Sequence, residues 1–224
     1  MAEHNSFYDG ILQRDAFECL SHLIEILHEG TKINLLGIPF ELVDDSFITS
    51  LAKNIFTCTI KKKLKCSLCN NETVSYMQTQ FIYLYPKYTP STVTQLLEQS
   101  FNGQVTRMCG ACSEDTEHVE VSVLEHCSDV LVLVINRFDF GSYTRKNKTA
   151  ITLERKLNHH LRNYELIGSV HHHGDSTASG HYTSKMYYTY VVYNCNDHII
   201  TELVPSDDNS DSVYMAFYRY CDRP

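Results

Sequence analysis

The residues able to do chemistry in this 224-residue chain fall into two groups. The first lies in the segment Tyr164 to Thr183, YELIGSVHHHGDSTASGHYT, where an apolar run leads through a Gly/Ser/Thr/Asp-rich loop to Gly180-His181-Tyr182. A histidine at a strand edge beside such a loop is placed as a general base, since imidazole titrates nearest neutrality. Asn194 follows at the end of the aromatic run Tyr190-Val191-Val192-Tyr193. Two antiparallel strands joined by a hairpin of that length would set His181 and Asn194 side by side. An amide oxygen accepting the Nδ1–H would then fix tautomer and ring plane, as in Cys-His-Asn hydrolytic sites. The competing reading of His181 is a tyrosine-flanked sheet histidine with no chemistry. The triple His171-His172-His173 is not a metal site, because neighbouring strand residues point to opposite faces; it reads as a polar cluster at a strand end.

The second group is Cys66-x-x-Cys69 and Cys109-x-x-Cys112, a four-thiolate set with the paired spacing of structural zinc sites. Two intervening residues let one turn aim both sulfurs at one ion, and Gly110 should ease the second turn. Four protein ligands leave no open position, so zinc here would hold a ribbon together and not catalyse. Lys61, Lys62, Lys63, Lys65 and Arg107 lie near enough in sequence to offset the excess thiolate charge.

These groups need elements to position them. Ala16, Leu20, Leu23, Ile24 and Leu27 give helical periodicity over Gln13 to Glu29, with Asp15 as cap, Glu18 as its capping-box partner and Gly30 as the stop. A second short helix is expected over Ser91 to Phe101. Strands are expected over Phe56 to Leu64, Val74 to Tyr85, His118 to Leu124, Val130 to Arg137, Tyr164 to Val170 and Tyr187 to Tyr193. The unbroken run Val130 to Ile135 reads as a strand buried on both faces.

Composition removes several function classes. Lys+Arg 19 against Asp+Glu 27 gives −8, which lacks the basic face of a nucleic-acid binder. No run reaches the length of a membrane span, and Met1 to Gly10 has no secretory pattern, so an intracellular protein of cytoplasm or nucleus is expected, with no membrane partner. Nine cysteines in that setting read as reduced thiols and metal ligands. The sequons at Asn71 and Asn147 then carry no meaning.

The ordered set resembles the ubiquitin-specific protease family of deubiquitinases. It comprises Gln13-Arg14-Asp15-Ala16-Phe17-Glu18, the paired Cys-x-x-Cys, Val130 to Phe138 ending Ile-Asn-Arg-Phe, Gly180-His181-Tyr182-Thr183, and the closing Tyr214-Met215-Ala216-Phe217-Tyr218-Arg219. The resemblance implies an α+β, papain-like fold with an antiparallel palm sheet, zinc-ribbon fingers and a partial helical thumb. Residues 1–50 would form a thumb remnant, 51–125 the fingers and 126–224 the palm. It also implies thiol-dependent hydrolysis of the bond after ubiquitin's C-terminal glycine, with ubiquitin or ubiquitinated proteins as partners.

Residue by residue, His181 falls on the family's general base and Asn194 on its orienting Asp/Asn. The four cysteines fall on structural zinc ligands. Asp15 and Glu18 match acidic positions facing ubiquitin's basic tail, a role compatible with helix capping. Gly180 and Tyr182 match the lining of the narrow channel for the Gly-Gly end. One part of the pattern is missing: the family's nucleophile lies in an Asn-x-Gly-Asn-Thr-Cys-Tyr segment upstream of the Gln-Asp box, and no cysteine precedes Cys19 here. Cys19 reads as a small buried helix thiol, and Cys195 stands where the family often has a second acid. The expectation is a deubiquitinase domain without its nucleophile segment, or an inactive ubiquitin-binding module.

Overall fold

The structure, a computed structural model, describes residues 14–37, 39, 43, 44, 46, 48–137, 146–159, 162–176 and 179–221. Gln13, Phe138 and the cysteine-free stretch before Gln13 lie outside these residues. The described chain begins with α1 (Ala16–Thr31), β1 (Ile33–Asn34), β2 (Ile48–Thr49), α2 (Leu51–Phe56), β3 (Cys58–Cys66) and β4 (Glu72–Thr79). Next come β5 (Ile82–Leu84), β6 (Ser91–Thr92), α3 (Val93–Ser100), β7 (Asn102–Met108), β8 (Asp115–His126) and β9 (Val130–Ile135). The rest is strand: β10 (Ile151–Leu153), β11 (Lys156–His159), β12 (Arg162–His173), β13 (His181–Tyr187) and β14 (Val192–Asn196). The series closes with β15 (Ile199–Leu203), β16 (Asp208–Ser210) and β17 (Val213–Cys221). The α+β class expected from the sequence is what the chain adopts.

Two sheets carry the architecture. An eight-stranded sheet runs β15-β14-β13-β12-β17-β9-β5, with β11 also on β12. A four-stranded ribbon runs β4-β3-β8-β7. The core lies on the large sheet: Leu131, Leu133 and Ile135 of β9 pack with Leu84, Leu96, Leu97, Leu166 and Tyr218, all at most 1 % exposed. The unbroken apolar run of β9 has its reason here, since the strand is flanked by β17 and β5 and every residue after Val130 is buried.

Several boundaries differ from the sequence expectation, each for a local reason. The run Val74 to Tyr85 is two strands in two sheets, because the Thr79 hydroxyl bonds both the Phe81 carbonyl and the Phe81 amide and turns the chain. The run Tyr187 to Tyr193 is not one strand: Tyr187 ends β13, Val192 and Tyr193 open β14, and Tyr188 to Val191 turn between them. That β13–β14 connection is closed by Tyr188 N–H to the Val191 carbonyl at 2.9 Å. Helix α1 starts one residue after its Asp15 cap and runs through Gly30, and Glu18 supplies no reciprocal capping bond. A full capping box forms instead at α3, between Thr92 and Gln95. Of the expected apolar stripe of α1 only Ile24 is buried, while Leu23 is 57 % exposed.

The three consecutive histidines are the last three residues of β12, at a strand end as expected, and a register shift lies between Val170 and His171; His171 and His172 are both buried. His171 joins a buried polar network. Its Nε2 lies 2.8 Å from Ser169 Oγ and 3.3 Å from Asp208 Oδ2. Tyr187 Oη donates to Asp208 Oδ2 at 2.6 Å and Lys185 Nζ to Oδ1 at 2.8 Å. Burial pushes the Asp208 carboxyl up, but the bonds from His171, Lys185 and Tyr187 outweigh it and hold it well below the usual carboxylate range.

A carboxyl depressed in the folded state contributes stability that is complete above its unfolded pKa, near 4, and lost as pH falls through its folded value. Asp208→Asn should therefore cost about 3 kcal/mol at neutral pH, the lower end for breaking a buried ion pair. The gap between variant and parent should narrow steadily below about pH 4 in urea unfolding. A gap independent of pH would mean that the carboxylate charge is not what the network stabilises.

Candidate functional site

His181 opens β13, directly opposite His173 of β12, at the end of the sheet where the Gly174-to-Gly180 loop crosses. Its Nε2 lies 2.6 Å from Asn196 Oδ1 and 3.9 Å from Asp197 Oδ2. The partner is therefore Asn196, and Asn194 does not meet His181. The β13–β14 register pairs Ser184 with Cys195 and Lys185 with Asn194, which sets Asn194 about 13 Å along the ladder from the point facing His181. Asn194 and Asn196 share a face, so the side of the sheet was right and the register wrong by one strand repeat. The ring atom engaged is also Nε2 and not Nδ1; Nδ1 makes no hydrogen bond among the described residues. The signal for Asn196 was present in the Asn196-Asp197-His198 turn. Asp197 takes φ 51°, a backbone Asp tolerates, and closes the β14–β15 hairpin there.

Gly180 is held from beneath. A Cβ on it would stand 2.1 Å from His172 Nε2 and 2.7 Å from the His173 carbonyl, so only glycine lets the loop cross β12 at this height. His172 is in turn fixed by Lys146, whose buried Nζ donates to the His172 carbonyl and lies 3.3 Å from Nδ1. Burial, then the Lys146 charge, hold the His172 pKa below its ordinary value, which keeps the ring neutral under Gly180.

Asp15 and Tyr182 meet; Glu18 stays exposed and apart. The Asp15 carboxylate accepts the Phe17 and Glu18 amides at the start of α1. It also accepts the Tyr182 hydroxyl at 3.0 Å and the Tyr214 hydroxyl at 3.0 Å. One carboxylate thus caps the helix and ties it to β13 and β17. Burial, then the Asp15 charge, push both tyrosines well above their ordinary pKa, so both remain donors.

The four cysteine sulfurs lie within 4.8 Å of one another, with Cys69 and Cys109 Sγ 3.7 Å apart. Tetrahedral Zn–S bonds of about 2.3 Å would set sulfurs about 3.8 Å apart, so the donor set fits. Both turns have the same construction. Cys66 N–H bonds the Asn71 carbonyl and Asn70 N–H returns to Cys66; Cys109, Ser113 and Glu114 repeat this. The left-handed residues are Asn70 (φ 58°) and Ser113 (φ 57°), after each pair, so Gly110 is not the residue that makes the second turn.

The Cys69 amide and then Thr116 draw the Cys66 thiol down to about 6, and the Cys112 amide lowers Cys109. Burial pushes Cys112 up to about 12. The lysines do not serve the sulfurs as expected. Lys61, Lys62 and Lys63 pair with Glu125, Glu120 and Glu72 at 3.6, 2.6 and 2.7 Å along the ribbon.

With this geometry in hand, comparison with known proteins assigns the class. The fold matches the Ubp8-containing SAGA DUB module bound to monoubiquitin, with TM-score 0.78 and 20% identity over 99% of this chain and 52% of that one. The same module bound to ubiquitin aldehyde gives TM-score 0.76 and 20% identity over 96% and 51%. The chain therefore shares the fold of that module.

The ubiquitin carboxyl-terminal hydrolase family profile matches residues 1–218, and the chain belongs to that family, as a ubiquitin-specific protease-type member. Ubiquitin carboxyl-terminal hydrolase 25 of Arabidopsis thaliana is 25% identical over 92% of this chain and 33% of its own length. Ubiquitin carboxyl-terminal hydrolase 9 of Saccharomyces cerevisiae is 22% identical over 98% and 32%. The chain spans about a third of the length of these two relatives.

The packing under the histidine loop gives a direct test. Gly180→Ala should cost about 1–3 kcal/mol as an overpacked site and should weaken the His181–Asn196 bond, seen as a shift of the His181 ring resonances. Because the clash is with His172, Gly180→Ala/His172→Ala should cost less than the sum of the two single changes, with coupling above about 0.5 kcal/mol. Strict additivity would show that the two residues do not press on each other.

Proposed function

We propose that this chain is the histidine-bearing part of a cysteine-type deubiquitinase acting at the C-terminal glycine of ubiquitin. In this reading His181 is the general base. Asn196 orients it through Nε2, which leaves Nδ1 as the nitrogen that exchanges a proton with a thiol. Asn194, the position first matched to the orienting residue, keeps a place only on the same face. Gly180 and Tyr182 line the channel for the ubiquitin tail. Asp15 and Glu18 supply the acidic side of that channel, Glu18 already exposed and Asp15 only after exchanging a tyrosine hydroxyl for the tail. The observation that carries the reading is the 2.6 Å His181–Asn196 pair at an exposed sheet end within a deubiquitinase-family fold.

The nucleophile is the missing partner. No cysteine precedes Cys19 in the sequence, and Cys195 sits between Asn194 and Asn196, hence on the opposite face of β14 from the residue bound to His181. The 224 residues alone should therefore bind ubiquitin without turning over a fluorogenic C-terminal ubiquitin reporter. Mixing with labelled ubiquitin should shift resonances from Gly180 to Tyr182. Turnover abolished by Cys19→Ala or Cys195→Ala would overturn this and identify a displaced nucleophile. The absence of any ubiquitin binding would remove the family function from this chain altogether.

The four-cysteine cluster is proposed to hold one structural Zn²⁺ through Cys66, Cys69, Cys109 and Cys112. When bound, the ion would replace the protons of Cys69 and Cys112, both held above the ordinary thiol value, and cross-link the β3–β4 turn to the β7–β8 turn. Metal analysis should return one zinc per chain, and binding should release protons at neutral pH, more of them as pH falls towards 6 and the Cys66 thiol also becomes protonated. Cys109→Ser or chelation should lower the melting temperature and erase amide protection in the ribbon first, leaving β9, β12 and β17 protected. Unchanged ribbon protection after complete zinc removal would show that the knuckles stand without metal.

A further inference from the structure

The large sheet ends on an open edge at β15, next to the strand that carries Asn196. Every residue of β15 is exposed, Ile199 at 53 %, Ile200 at 63 % and Leu203 at 43 % among them. No described segment hydrogen-bonds its outer side, so its outward N–H and C=O groups have no protein partner among the described residues. Sheet edges are normally blunted by lysine, proline or a bulge. Here the strand carries no lysine, proline or bulge, its one charge is Glu202, and its β14 register is unbroken from Val192–Leu203 to Asn196–Ile199.

Charge indicates what the edge accepts. From Met186 to Tyr218 the sequence has no lysine or arginine, yet it contains Asp197, Glu202, Asp207, Asp208 and Asp211. Asp208 is consumed by Lys185 and His171, whereas Asp197 and Glu202 flank and interrupt the exposed apolar strand. A second copy of this chain would bring the same carboxylates against each other in a molecule already at −8. We propose that β15 is a docking edge for an extended, basic segment of a partner protein. That segment adds as a ninth strand, with apolar side chains over Ile199 and Leu203 and lysine or arginine beside Glu202 and Asp197. The proposal is independent of the deubiquitinase reading, since it concerns a strand edge and not the histidine site.

The probe is a short peptide of alternating lysine and valine, mixed with the 224-residue chain. Titration should show saturable binding that weakens several-fold as salt is raised from about 0.05 to 0.3 M, as expected for exposed charges. Amide exchange should slow at Ile199 to Leu203. The glutamate–valine counterpart should bind at least tenfold more weakly, as should the same peptide N-methylated along one edge. Glu202→Lys, an exposed change that leaves the fold intact, should reverse the preference between the two peptides. Equal binding of the N-methylated peptide, no binding at all, or protection appearing elsewhere would overturn the proposal. Concentration-dependent dimerisation of the free chain, with protection at β15, would overturn it too by making a second copy the occupant.

Discussion

Much of this structure depends on how one buried cation is satisfied. Arg137, 1 % exposed at the end of β9, has no carboxylate within ion-pair distance among the described residues. An isolated buried charge is costly, and the guanidinium meets that cost with carbonyl oxygens. It donates from Nε to Val213 at 2.7 Å, from Nη1 to Asn147 and Thr149 at 2.9 and 2.8 Å, and from Nη2 to Ser210 at 3.2 Å. Burial lowers its pKa to about 10, still well above neutrality, so the charge persists. The four carbonyls belong to the segments that lead into β10 and connect β16 to β17. Arg137 therefore fixes the same end of the sheet at which His172, Lys146 and the histidine loop are stacked.

That convergence explains what was legible in the sequence. Elements whose evidence is local came through. Asp15 as a helix cap, the buried β9 run and the two cysteine turns each rest on residues within a few positions of one another. The knuckles were visible because the spacing that brings two sulfurs to one point is contained in four residues. Even there, the left-handed position went to Asn70 and Ser113, which the spacing does not specify.

Register is different in kind. Whether His181 meets Asn194 or Asn196 depends on the length of the turn between Tyr187 and Val192, built from Tyr188, Thr189, Tyr190 and Val191. None of these residues is a turn former, so the sequence continues to read as strand through the bend. The alternation of faces survives such an error because any shift by two residues preserves it, whereas the identity of the partner does not. Likewise nothing local links Asp15 to Tyr182 and Tyr214, which lie far along the chain. That clasp exists only because β13 and β17 both flank β12.

The contacts around His181 are all made within this chain. Asn196 fixes the ring edge, His172 sets the height of Gly180, and the Asp15 carboxylate holds Tyr182 on the other side. On the proposed reading, half of a thiol-hydrolase site is therefore preorganised without its nucleophile. Orientation is the expensive part of such chemistry, since holding a base and a reacting group in line replaces the entropy of bringing them together. A thiolate supplied to the free Nδ1 would meet an imidazole already fixed in plane. On the same proposal, a scaffold this ordered is equally suited to gripping a ubiquitin tail that it does not cleave, because the proposed channel and base share the same residues. Geometry alone serves both outcomes; the thiol decides between them.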